Sequence, residues 1–216
     1  MNKSKGDLKK VADEQINELS YEESLKLLKE NRREALLRKT AAVFAQKGFS
    51  HISMDKLAKE VGVTKVVLYR YFKSKGELIG IILDSIVDSI LVSDFKDSAW
   101  GRKRVSENLE IIRKNHDAFI CLMRHARYDP KYSSYYNKLI DQVVSNTILR
   151  LNVNDFTKNN SAIINIQFVA ARISSLIFVS IIEWIESGDP SNDDILVDWL
   201  VRSCLGLAQS WVDVSS

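Results

Sequence analysis

Apolar residues return every three or four positions along most of the chain, and the stretch ending at Phe44 shows it well. Ala35, Leu36, Val43 and Phe44 share one side of a helical projection, with Arg32, Arg33, Arg38 and Lys39 mostly on the other. Ser20 followed by Glu23 is a capping box, so the pattern predicts a helix from Tyr21 to about Lys47, ended by Gly48. Ser53 suits the N-cap of a short helix, MDKLAKE, which packs Met54, Leu57 and Ala58. Val61-Gly62-Val63 breaks the chain, with Gly62 fitted to a positive φ in a tight turn. Thr64 caps another helix to about Phe72, and Ser74 with Glu77 is a second capping box, opening a long helix to about Ser93.

The same period continues to the C-terminus. It predicts helices over about Ser98 to Lys114, His116 to Arg127, and Pro130 to Leu151, with Pro130 at a favoured first-turn position. A longer helix starts at Asn159 or Asn160 and ends before Gly188. Ser191 with Asp194 forms a third capping box, starting the last helix, to about Val212. The apolar run from Ile163 to Ile185 carries Asn165, Gln167, Arg172 and Glu183, which fits a buried helix better than a membrane span. Eight glycines and two prolines are too few for the turns of a sheet-rich fold. The expectation is all-α: a mobile tail over 1–19, a helix-turn-helix domain over 20–74, and a larger helical domain over 75–216.

Charge changes this picture more than composition does. Residues 31–80 hold eleven Lys and Arg against four Asp and Glu, whereas residues 81–216 hold fourteen against seventeen. A basic first part joined to a mildly acidic remainder suits contact with a polyanion. Cys121 and Cys204 lie far apart without CxxC spacing, as expected of core thiols in a reducing cytoplasm. The N-terminus lacks the apolar stretch of a secretory signal. His51, His116 and His125 do not repeat at metal-binding spacing, and no phosphate loop, GxSxG or HExxH occurs, so no enzyme activity, metal or cofactor is expected.

Two short helices joined by a glycine-containing turn make a helix-turn-helix, whose second helix presents its start and outer face to a major groove. On that helix Val67 and Leu68 face inward toward Leu57 and Val61, and Lys65, Val66, Tyr69 and Arg70 face out. Lysine or arginine can donate to phosphate or to guanine, valine can touch a thymine methyl, and tyrosine can donate to phosphate. Ser53, Thr64 and Lys75 sit at helix starts, where backbone N–H groups also favour phosphate oxygens. Tyr71 falls on the docking side, and periodicity alone makes it half-buried.

From Arg32 to Leu83 the sequence resembles the N-terminal domain of the TetR family of bacterial transcriptional repressors. The resemblance rests on A-x-x-F-x-x-K-G-F, on Leu57-Ala58, on Gly62-Val63 and on L-Y-R-Y-F-x-S-K. It implies a homodimer that puts two recognition helices into successive major grooves of near-palindromic double-stranded operator DNA. Thr64, Lys65, Val66, Tyr69, Tyr71 and Lys75 match positions that contact DNA in the family, and for Tyr71 this favours a phosphate contact. Val66-Val67 departs from the family, where small residues are commoner.

The resemblance also implies that the remaining helices bind a small-molecule effector and dimerise. Ile163, Ile166, Ala170, Ile173, Ile177 and Ile181 mark one apolar face. Ile195, Trp199, Leu205 and Trp211 mark another. Aromatics with a few polar groups are the usual lining of a ligand pocket. On that ground Trp100, Phe119, Met123, His125, Tyr128 and Tyr132, with Gln167 and Arg172, are the candidate ligand-binding set for an aromatic or extended apolar effector. The alternative keeps the DNA-binding fold but acts through protein partners, with no small-molecule inducer.

Overall fold

The computed structural model describes residues 21–95, 101–153, 166–187 and 189–214, all helix and connecting turns, with no strand among them. The expected tail over 1–19, Ser20 of the first capping box, Trp100, Asn159, Asn160, Ile163 and Asn165 lie outside the described residues, as does the side chain of Trp211. The helices are α1 (Tyr21–Lys47), α2 (Met54–Glu60), α3 (Lys65–Tyr71), α4 (Lys75–Phe95), α5 (Arg102–Lys114), α6 (His116–Ile120), α7 (Ser133–Val153), α8 (Ile166–Ser187) and α9 (Asp193–Val214).

The first three helices close around Phe44, Leu57, Leu68 and Phe72, all essentially inaccessible to solvent. α1 ends where expected, at Gly48, whose φ of 72° takes the left-handed conformation that side chains resist. The reading head is not separate from the rest, because one continuous core runs from Leu36 through α4 and α6 to Leu200. α1 packs on α6 and the turn that follows it, where the Cys121 thiol meets the Ala41 carbonyl and the His125 Nε2–H donates to the Ala45 carbonyl at 2.9 Å. Phe49, just past α1, sits edge-on to Tyr132 at 5.2 Å and to His125 at 5.8 Å.

Three expected boundaries differ. The single helix from His116 to Arg127 is α6, then a π-turn over Cys121–His125, then a 3-10 turn over Ala126–Tyr128. The wider turn re-aims the side chains that meet α1. Pro130 does not open a helix. Asp129 instead folds a turn, accepting Lys131 N–H at 2.9 Å on its carboxylate and Ser133 N–H at 2.8 Å on its carbonyl, and α7 begins at Ser133. Asp189, not Ser191, caps the approach to α9, accepting the Ser191 N–H at 2.9 Å ahead of a 3-10 turn over Pro190–Asn192.

α7 packs on α8 and α4, and α5 packs on α4 and α9. α8 is long and apolar enough to cross a membrane by length and composition, yet Ala170, Ile173, Phe178 and Ile181 are buried within this chain. The residues of α8 marked in sequence as one apolar face therefore serve the chain's own core. The exposed side of α8 carries Phe168, Arg172, Ser175 and Val179, beside exposed Ile195, Trp199 and Leu205 on α9. Both cysteines are buried and unbridged, and burial pushes the Cys121 thiol well up and that of Cys204 to about 12.

Candidate nucleic-acid interface

The helix-turn-helix is fixed by short-range bonds. Ser53 takes an extended conformation, and its hydroxyl oxygen accepts the Lys56 N–H at 3.3 Å, starting α2. α2 ends in a Schellman motif: Gly62 N–H donates to the Lys59 carbonyl at 3.2 Å and Val63 N–H to the Ala58 carbonyl at 2.9 Å. Gly62 has φ 75°, and no atom lies within 4 Å of where its Cβ would sit. The turn needs glycine for its backbone conformation, not for space. Thr64 repeats the Ser53 arrangement, accepting Val67 N–H at 3.3 Å.

Buried Leu68 and half-buried Val67 anchor α3, which leaves Lys65, Val66, Tyr69 and Arg70 facing outward as expected. Val66 is 69% exposed and Tyr69 43%. Ser53 and Thr64 are also exposed. Their oxygens accept the capping bonds, so their hydroxyl protons remain available to an external acceptor. Tyr71 is half-buried, its ring centroid 6.3 Å from that of Phe72, as periodicity requires.

Two members of the set have partners that the sequence did not reveal. The Lys65 ammonium pairs with Asp55 at 2.7 Å, linking the starts of α2 and α3, and lies 5.8 Å from the centre of the Tyr69 ring. The hydrogen bond to Asp55 holds the Lys65 pKa above the ordinary lysine value. Lys75 turns inward, donating to the carbonyls of Phe49 at 2.8 Å and Ile52 at 3.1 Å. It thereby ties the first residue of α4 to the loop that precedes α2.

The candidate ligand-binding residues do not come together. Phe119 and Met123 are buried, with Phe119 beside Phe178 at 6.4 Å. His125 and Tyr132 belong to the joint on Phe49. Tyr128 is 73% exposed, and Gln167 and Arg172 are exposed on α8, where the Arg172 guanidinium covers Phe168. Trp100 lies outside the described residues. A cavity does open between α4, α5, α7 and α8, but none of these candidates lines it. Its polar lining includes Asp94, Arg104, Asn108 and Arg150, which the sequence reading passed over. The available signal was a charge at a position that the helical period assigns to the core. Arg104, in helical register with buried Ile112, and Arg150, in register with buried Val143, are such positions.

Comparison with known proteins agrees with this architecture. Residues 36–80 match the profile described as bacterial regulatory proteins, tetR family. The chain is similar to the nucleoid occlusion factor SlmA of Mannheimia succiniciproducens, with 30% identity over 103 residues, 48% of this chain and 44% of that one. It is 33% identical over 100 residues to the HTH-type transcriptional activator FasR of Mycolicibacterium smegmatis, covering 46% of this chain and 44% of FasR. These matches span under half the length of either relative. The fold is shared with the ketosteroid transcriptional regulator KstR2 of Mycobacterium tuberculosis, at TM-score 0.65 and 22% identity over 81% of this chain and 93% of that one. The capped helix-turn-helix lies inside residues 36–80, the segment that matches the tetR-family profile, and the helices around it follow the same fold as KstR2.

Proposed function

We propose that the protein is a cytoplasmic, ligand-responsive transcriptional repressor that binds a near-palindromic operator as a dimer. The observation that carries the reading is the outer face of α3, where Lys65, Val66, Tyr69 and Arg70 stand exposed on a helix that buried Leu68 and the Thr64 cap hold in place. Tyr69 and Arg70 supply donors to phosphate or base edges, and Val66 an apolar contact to a thymine methyl. Thr64 and Ser53 supply hydroxyl donors to the backbone. Lys75 contributes by holding the head, and Tyr71 contributes a phosphate contact.

Dimerisation is supported by the exposed apolar side chains of α8 and α9, Phe168, Val179, Ile195 and Trp199, which form no part of the chain's own core. One helix-turn-helix reads only a short half-site, so two are needed for an operator. The cavity between α4, α5, α7 and α8 supports a small-molecule effector that favours the arrangement unable to bind DNA.

The test is a fluorescence-anisotropy titration with DNA from upstream of the protein's own gene, beside a scrambled duplex and a Tyr69→Ala variant. Specific recognition gives a preference of about a thousandfold or more that Tyr69→Ala removes. Equal binding of both duplexes with a steep salt slope leaves only electrostatic attraction and refutes operator recognition. The similarity to SlmA, named as a nucleoid occlusion factor, favours a second reading, in which DNA binding is coupled to protein partners. A small molecule that releases the operator decides against it.

A further inference from the structure

α1 is longer than its own core needs. Its buried residues are Leu36, Thr40, Ala41 and Phe44, all in its second half. None of residues 21–35 is buried, and only Ser24, Arg33 and Ala35 are partly covered. At 1.5 Å per residue, about 20 Å of helix stands clear of the core of the reading head. A helix of that length is marginal in water unless one face is packed. This part also lies ahead of residues 36–80, the segment that matches the family profile.

The exposed apolar side chains form a line. Tyr21, Leu25 and Leu28 follow one another at the four- and three-residue steps of a heptad seam, and Arg32 takes the next step. Water reaches this seam freely, with Tyr21 79% exposed and Leu28 64%. Beside it, at one heptad position and seven residues apart, stand Glu22 and Lys29, both exposed. Contact with a polyanion gains little here, since residues 21–35 hold four acids and four bases.

We infer that this projecting half of α1 pairs with the same half of a second copy of the chain, the two helices antiparallel. The seam reads alike from either end. Laid antiparallel, Leu25 meets the partner's Leu28, and the Tyr21 ring meets the guanidinium of the partner's Arg32. The same register sets Glu22 against the partner's Lys29, and the two-fold axis makes that contact twice. Parallel pairing sets Arg32 against Arg32, so charge selects the direction. The contact uses none of the α8 and α9 residues proposed for dimerisation, and it can therefore join one dimer to another.

Sedimentation velocity of the full chain tests the inference through charge. Glu22→Lys and Lys29→Glu each turn both cross-pairs into like-charge contacts. Each is expected to raise the concentration needed for the largest assembly by about tenfold. The double variant restores both pairs in reverse and is expected to return assembly to the parent's range. Single variants that assemble like the parent, or a double variant no better than either single, overturn the pairing.

Disulfide trapping reads the register. Leu25→Cys and Leu28→Cys chains, mixed, are expected to cross-link several-fold faster than either variant alone. Cys121 and Cys204 do not compete, because both are buried. No cross-linking in any of the three samples also overturns the pairing. Fast alkylation of the Leu28→Cys chain then leaves the seam in water, and slow alkylation gives it to another occupant. Both experiments are run without DNA, so operator recognition is judged separately.

Discussion

Two acid–base clusters in this molecule use the same chemistry to opposite ends. Asp55 and Lys65 meet on the reading head, where their side chains are 59% and 56% exposed. Asp94, Arg104 and Arg150 meet inside the helical domain with 5%, 8% and 7%. Water competes for every bond in the first cluster, so that pair can open and hand its lysine to a phosphate at little cost. The second has lost its water, so each charge depends on its protein partners, and removing one exposes the full desolvation cost. An exposed pair suits reversible contact with a polyanion. A buried cluster suits a fixed joint between helices.

The strongest way to break this contrast is Asp94→Asn, which takes away the carboxylate on which both guanidiniums converge. It is expected to cost about 3–5 kcal/mol of stability, read by urea denaturation. A loss below about 1 kcal/mol means that water already reaches the cluster. Tyr69→Ala comes next and acts on binding, not on folding. About 1–3 kcal/mol of operator discrimination is expected to disappear in anisotropy titrations, with the unfolding midpoint barely moved because the ring packs little.

Gly62→Ala is expected to cost about 1–2 kcal/mol through backbone strain alone, since its φ is 75° and the surrounding space is open. Gly62→Asn should cost less, because asparagine tolerates that conformation better, and thermal denaturation of both variants checks the order. Equal losses point to something other than the left-handed backbone.

The smallest effects sharpen the exposed side of the comparison. Lys65→Ala is expected to lower the salt slope of DNA binding by about 0.9, the share of one phosphate contact. Asp55→Asn should instead tighten binding several-fold by removing a competing negative charge. The pH dependence has a definite sign. Asp55 raises the Lys65 pKa, so the pair's contribution to stability is complete below the ordinary lysine value of 10.5 and fades only as pH rises through the raised one. Denaturation midpoints of the parent and Asp55→Asn chains should therefore keep a constant difference between pH 6 and 9, within this pair's control.

The reading head was legible because its determinants are local. Ser53, Gly62 and Thr64 each act on partners within five positions, which is the range of a cap or a turn. The outward set on α3 followed from helical period once Leu68 was placed inside. Lys75 was misdirected by the same logic. Its place at a helix start suggested phosphate, but its ammonium reaches carbonyls 23 and 26 positions back in the chain. The start of α7 was misplaced because proline's preference for a first turn competes with the Asp129 turn, and the turn prevailed. The aromatic candidates are dispersed for a related reason. Composition identifies rings, but not whether they meet each other, another helix or water, and Tyr132 and Tyr128 ended at opposite extremes of burial.

By itself the sequence determined the helices, most of their caps, the turn that makes α2 and α3 a reading unit, and the basic character of that unit. Those depend on hydrogen bonds and side-chain periods that span a few residues and hold whatever packs nearby. Only the tertiary structure decided where the cavity opens and what charge it carries. Asp94 meets Arg104, Asn146 and Arg150 across 10, 52 and 56 positions of chain, and nothing in the local pattern sets those separations. The packing of α4 against α5 and α7 brings the charges together, and the exclusion of water there gives them their weight.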